Sequence, residues 1–209
     1  MENHGCVALI KVHGVTDKMI TNINGSEHLS AVLKTCGQYA TESDAVADLL
    51  RKVNPSHWIV HTEVEGWLLQ PRSFSDGKLN LRVDVVLEPT DQLLMCGWRW
   101  GPVAVECKKT GFHVGAALSQ IIDYTRCVWS LPGGFDVMCR LCFLWHFQPP
   151  GGTIASVMVN NRIGGAFLRE YRRDSLVLMF NSTVAYEDSR DGDPRVASVL
   201  NGGNKTGSR

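Results

Sequence analysis

The chain of 209 residues lacks an excess of either charge, with Lys plus Arg and Asp plus Glu both at 21. A strong overall basic field is excluded, so any polyanion must be met by a local patch. Apolar runs are short, none nearing the roughly 18 residues of a membrane span. The opening MENHGCVALIKVHG has no basic region followed by a long apolar run, so no membrane partner and a cytoplasmic location are expected. Proline is scarce at 8 residues, and charged residues make up 20% against 44% hydrophobic, which excludes a disordered or collagen-like architecture. Cysteine is present in an odd number, 7, scattered through apolar stretches such as VAVECKK and YTRCVW. That usage fits reduced, buried thiols in a reducing compartment better than a disulfide framework. No internal repeat is visible.

Residues 26–37 and 43–53 place apolar residues at three and four spacing behind a capping Ser, and both are expected to be helices. HWIVHTEVEGWLL at 57–69 alternates apolar and polar as a strand with one wet face does, and LNLRVDVVLEP at 79–89 follows the turn SFSDGK as a second strand. A loop over 90–101 carries Trp98 and Trp100, and GPVAVECKK at 101–109 is the third strand of an antiparallel meander. The stripe Val114, Ala117, Leu118, Ile121, Ile122 and Val128 predicts a helix of about four turns. After Pro132-Gly133-Gly134, FDVMCRLCFLWHF at 135–147 predicts one long strand buried on both faces, returning to the same sheet by a crossover. A strand at 154–159, a short helix at 162–173 and a last strand at 175–181 follow. The length suggests a single domain over 1–186, and the polar, Gly-rich residues 187–209 are expected to be a flexible tail.

Asp84 on one strand and Glu106-Cys107-Lys108 on the next are the informative residues. Strand alternation puts 106 and 108 on one face, and pairing of the two strands brings Asp84 to the same patch. Two carboxylates suit a hard divalent ion such as Mg²⁺, which keeps waters for substrate and nucleophile; the Cys107 carbonyl is a further candidate ligand. Gln120 and Tyr124 lie one turn apart on the following helix and can reach the same patch.

RVDVVLEP, VAVECKK and ALSQIIDYTR together resemble the PD-(D/E)xK nuclease superfamily, over about residues 43–147, with 148–186 as an extension. The pattern Asp84, Glu106-x-Lys108, Gln120-xxx-Tyr124 is similar to the RecB-like and lambda-exonuclease branches, with a resolvase-like branch also open. Val83 stands where the superfamily's pattern has Pro. The resemblance implies an α/β, restriction-endonuclease-like core: a central mixed sheet, meander plus crossover strand, flanked by helices. It implies metal-dependent hydrolysis of DNA phosphodiesters, with Mg²⁺ or substituting Mn²⁺ held by Asp84 and Glu106, and Lys108 orienting or polarising the attacking water. Gln120 and Tyr124 would hold the helix against the site or touch a phosphate. An upstream acid or His is common in the family. Glu27, Glu42, His61 and Glu63 are candidates, and Glu63 is favoured for its place on the first meander strand.

Lys109, Arg126, Arg172 and Arg173, with Lys108 and Arg169, make a positive rim for DNA or a charged helix end of the usual kind. Trp98 and Trp100 stack on bases, or they serve core packing or an oligomer contact. His113 is expected on the surface. Cys139-x-x-Cys142 would send its thiols to opposite faces of a strand. The spacing of Cys36, Cys127, Cys139 and Cys142 departs from the iron–sulfur pattern of some RecB-like exonucleases, so no cluster is expected. The expected role is DNA repair, recombination or processing, endonuclease versus exonuclease left open, with a homodimer or ring by analogy. The rivals are a non-catalytic DNA-binding or assembly module that keeps the fold, and an RNase.

Overall fold

The computed structural model describes residues 39–69, 80–147, 153–169, 175–188 and 193–197. The expected helix over 26–37, the turn SFSDGK, Arg172, Arg173 and the residues after 197 lie outside them. Helix α1 spans Glu42–Lys52. Its cap is Thr41 and not the expected Ser43. The Thr41 hydroxyl accepts from the Asp44 N–H at 3.1 Å, and the Asp44 carboxylate accepts from the Thr41 N–H at 3.0 Å, a capping box. Ala45 and Leu49, one turn apart, are fully buried on the inner face.

Strands β1, Trp58–Leu68, and β2, Asn80–Pro89, pair antiparallel, and β2 pairs antiparallel with β3, Val103–Glu106. The meander is present, although β3 stops at Glu106, short of the expected 109. Inside the 90–101 loop lies a short helix α2, Asp91–Met95, capped by Thr90. Helix α3, Val114–Tyr124, follows, capped by the His113 side chain accepting from the Ala116 N–H. It is about three turns rather than four, because Cys127–Leu131 leaves as strand β4 and takes Val128 with it. The expected single strand over 135–147 is two: β5, Phe135–Val137, on β4 at one margin, and β6, Leu141–Trp145, between its parallel neighbours. All five residues of β6 are buried, as a run without alternation suggests for a strand covered on both faces.

Beyond β6, helix and strand exchange places relative to expectation. Thr153–Asn160 is helix α4 and Ile163–Arg169 is strand β7. Strands β8, Ser175–Phe180, β9, Thr183–Glu187, and β10, Arg195–Val196, complete the order, so the sheet extends past residue 186 into the expected tail. The described residues form an α/β fold on one mixed, mostly antiparallel sheet of 10 strands, ordered β10-β9-β8-β7-β6-β3-β2-β1-β4-β5. Among the described residues only β3–β6 and β6–β7 are parallel. Gly164 on β7 is needed for close approach: a Cβ there would lie 2.4 Å from Phe143 Cε1 and 2.5 Å from the Met179 carbonyl oxygen.

Apolar layers lie on both faces. One joins Ala45 and Leu49 of α1 to Trp58, Val85, Leu87, Val105, Phe143 and Trp145. Trp98 belongs to this layer, fully buried with its indole N–H on the Gly101 carbonyl, so it is core and not a base-stacking platform; Trp100 packs against the same layer. The other joins Ala117, Leu118 and Ile121 of α3 to Val83, Val86, Ala104 and Leu144. Each large side chain so buried contributes roughly 1.5–3 kcal/mol. Cys127, Cys139 and Cys142 all sit in the α3 layer as free thiols, contrary to the expected opposite faces, because Cys139 precedes β6 instead of lying within it. Among the described residues no helix is long and apolar enough to cross a membrane.

Candidate functional site

The site begins with a break in the β1–β2 ladder. Trp58 and Val60 belong to the α1 layer but Val64 to the α3 layer, although a regular strand keeps even positions on one face. On β2, Leu81 and Val83 lie in the α3 layer while Val85 and Leu87 lie in the α1 layer. Both strands therefore exchange faces at one place. The pairs Thr62↔Val85 and Val64↔Val83 are kept on either side of it, Glu63 has φ 53 between them, and Asp84 is its counterpart.

Freed from alternation, Asp84 turns toward β3. Its Oδ2 accepts the Cys107 N–H at 2.7 Å, just beyond the last paired residues Val85↔Val105, so a carboxylate takes the place of a ladder carbonyl. Glu106 ends β3 with only 3% of its surface exposed. The chain leaves the strand there, so alternation does not govern Lys108, yet the two side chains meet: Lys108 Nζ is 2.6 Å from Glu106 Oε1 and 3.2 Å from Glu42 Oε1 at the start of α1. The Cys107 side chain lies in the α1 layer and leaves only its backbone beside the carboxylates.

Tyr124 and Gln120 close the site from α3. Gln120 Nε2 donates to the Tyr124 hydroxyl, which donates at 2.7 Å to the Arg82 carbonyl on β2. The pair pins the helix to the strand that carries Asp84.

Burial governs the electrostatics. Desolvation, followed by the charge of Asp84, pushes the Glu106 carboxyl up to about 7 despite the Lys108 ammonium. Asp84 is also raised by burial, against the opposing Cys107 N–H bond and Lys108 charge. Burial works to lower Lys108, but its bond to Glu106 and the charges of Glu106 and Glu42 outweigh it, and the ammonium is held above its ordinary range. The Tyr124 hydroxyl is raised by burial and by the charge of Glu106, so it stays protonated. Glu106 Oε2 is buried with no hydrogen-bond partner among the described residues. Such an atom is costly unless something else binds it.

Asp84, Glu106, Lys108, Gln120 and Tyr124 are thus brought together. The Glu63 carboxylate is 55% exposed and pairs with Arg82 Nε at 2.9 Å, and its charge is among those that raise Asp84. Glu42 is the upstream acid that reaches Lys108, and TESD at 41–44, a cap followed by an acid in the first turn, is the sequence signal for it. His61 pairs with Glu88 at 2.8 Å. Lys109 and Arg126 are exposed, directly after Lys108 and two residues after Tyr124. Sequence reasoning missed a neighbouring cluster. The Tyr39 hydroxyl donates to Asp48 Oδ2 at 2.6 Å and contacts His146 Nε2, while the Tyr39 N–H donates to the Thr110 hydroxyl at 2.7 Å and the Tyr39 carbonyl accepts from the Thr110 N–H at 3.0 Å.

Among the described residues no three His, Cys, Asp or Glu side chains are grouped to hold a metal by themselves. No protein-family model matches the chain, and no curated protein or solved structure matches it.

Proposed function

We propose that the chain is a metal-dependent DNA nuclease with a restriction-endonuclease-like core. The observation that carries this reading is the pairing of half-buried Asp84 with buried Glu106 on adjacent strands, one oxygen of Glu106 unpartnered, with the Lys108 ammonium against the other. A fold gains nothing from two desolvated carboxylates side by side, so the arrangement is best accounted for by a ligand that needs both. The order of helix, meander, helix and, after the β4–β5 hairpin, a parallel central strand supports the same reading.

The residues fit a hard divalent ion. Asp84, Glu106 and the Cys107 carbonyl would hold one Mg²⁺, or Mn²⁺, the other positions falling to water and substrate. The ion would supply charge neutralisation at the scissile phosphate and acidify the attacking water. Lys108, fixed by Glu106 and Glu42 and held charged, donates to that water or to the developing negative charge; it does not act as a base. Water oxygen bonds to phosphorus and gives up a proton to solvent as the P–O ester bond breaks, and the leaving oxygen takes up a proton in its place. Tyr124 and Gln120 keep α3 against β2 while DNA is bound. Lys109 and Arg126 meet flanking phosphates, a salt-sensitive contribution.

The test is cleavage of linear, nicked and branched labelled DNA with Mg²⁺, Mn²⁺ or EDTA, using wild type, Asp84→Ala and Lys108→Ala, each checked for folding. Metal-dependent products lost in both variants are expected, and the product ladder separates end-dependent from internal cutting. DNA binding without cutting would favour a non-catalytic module, and cutting of RNA alone would make the protein an RNase.

A further inference from the structure

We propose that Glu63 is a positioning residue for Asp84 and acts through its main chain, not through its carboxylate. The proposal takes from the nuclease reading only that Asp84 belongs to the working site. Glu63 holds φ 53 inside an eleven-residue strand, a left-handed conformation that Gly and Asn adopt readily and β-branched residues resist. The ladder keeps its register on both sides, so nothing has been inserted; the strands exchange faces at Glu63 and Asp84 together. Without that exchange Val83, on β2 with Val85 and Leu87, would fall in the α1 layer with them. With it, Val83 remains in the α3 layer and Asp84 is free to accept the Cys107 N–H.

The charge of the Glu63 carboxylate is among those that raise Asp84, but it does not account for the exchange of faces. Its partner Arg82 is 66% exposed and Glu63 itself 55%, an ion pair of the screened kind that contributes little. What is special at 63 is therefore the backbone, and its effect is read at the one hydrogen bond it sets up across β2 to Cys107.

The test is hydrogen exchange of the Cys107 amide by NMR on the metal-free full chain, with the Val105 amide of β3 as internal reference. Glu63→Gly and Glu63→Asn, which keep the left-handed backbone and discard the carboxylate, are expected to leave Cys107 exchange within about fivefold of wild type. Glu63→Val is expected to speed it by on the order of tenfold while Val105 is unchanged. Loss of Cys107 protection in Glu63→Gly, or wild-type protection in Glu63→Val, would overturn the proposal. If Glu63→Val does not fold, Glu63→Gly and the charge-reversed Glu63→Lys decide: both keep protection on this proposal, and loss in both assigns the role to the carboxylate. The amide readout needs no turnover, so it stands if the wild type cuts nothing. If the wild type cuts, kcat falls in Glu63→Val with KM for DNA unchanged, and Glu63→Gly restores it.

Discussion

Replacing Glu106 by Gln is expected to stabilise the metal-free protein, and to do so only above mildly acidic pH. The carboxyl is 3% exposed and titrates near 7 in the folded chain against an ordinary 4.5, so holding it charged in the fold costs about 3 kcal/mol. The sign follows from proton binding. Between pH 4.5 and about 7 the unfolded chain has released this proton and the folded chain has kept it, so stability falls as pH rises through that window. Gln has nearly the same shape and no proton to lose, and Lys108 keeps Glu42 at 3.2 Å. The stability difference between Glu106→Gln and wild type should be near zero at the acidic end and grow to about 3 kcal/mol above neutrality. In urea, where slopes run about 1–3 kcal/mol per molar, that separates the midpoints by roughly 1–3 M. The assay is urea unfolding of both proteins in EDTA across this pH range. A midpoint difference that does not change with pH, or a variant less stable than wild type at pH above 7, would refute the view that Glu106 is charged at the fold's expense.

Three further outcomes are expected. Gly164→Ala puts a methyl group into Phe143 and the Met179 carbonyl and should cost about 1–3 kcal/mol in urea unfolding. Burial would raise Asp48, but bonds from Tyr39, Arg51 and His146 outweigh it and hold the carboxyl below its ordinary 3.8. The stabilisation from Asp48 is present above that value and lost as pH falls below it, so Asp48→Asn should lower Tm at neutral pH and converge with wild type in acid. Thr41→Ala removes the α1 cap and should cost about 1 kcal/mol by the same unfolding measurement, with the Lys108–Glu42 contact loosened because Glu42 begins that helix.

The meander and the charged residues on it were legible in the sequence because alternation and a short turn are local signals. Lys108 reached its place by a route alternation does not describe, since β3 ends at Glu106 and the ion pair forms beyond the strand. The break at Glu63 was invisible, because nothing about a Glu in WIVHTEVEGWL marks a left-handed backbone; pairing with β2 imposes it. Met138-Cys139-Arg140 contains neither Gly nor Pro, so β5 and β6 read as one strand, whereas in the sheet they lie at a margin and at the centre. TIASVMVN is rich in β-branched residues and reads as a strand, yet it is helix α4. The glycines of IGGAFLR weaken a strand pattern and yet allow β7 to lie between β6 and β8. In both segments tertiary packing overrides local propensity.

The most direct measurement is the initial rate of DNA cleavage at saturating Mg²⁺ for wild type and Lys108→Met, with both proteins shown folded at the same pH. A fall of about 10²–10³-fold in kcat, the scale of losing one positioned electrostatic group, is expected for the variant, with DNA affinity little changed. Equal rates in the two proteins, or cleavage by wild type that persists in EDTA, would contradict a metal-dependent site built from Asp84, Glu106 and Lys108.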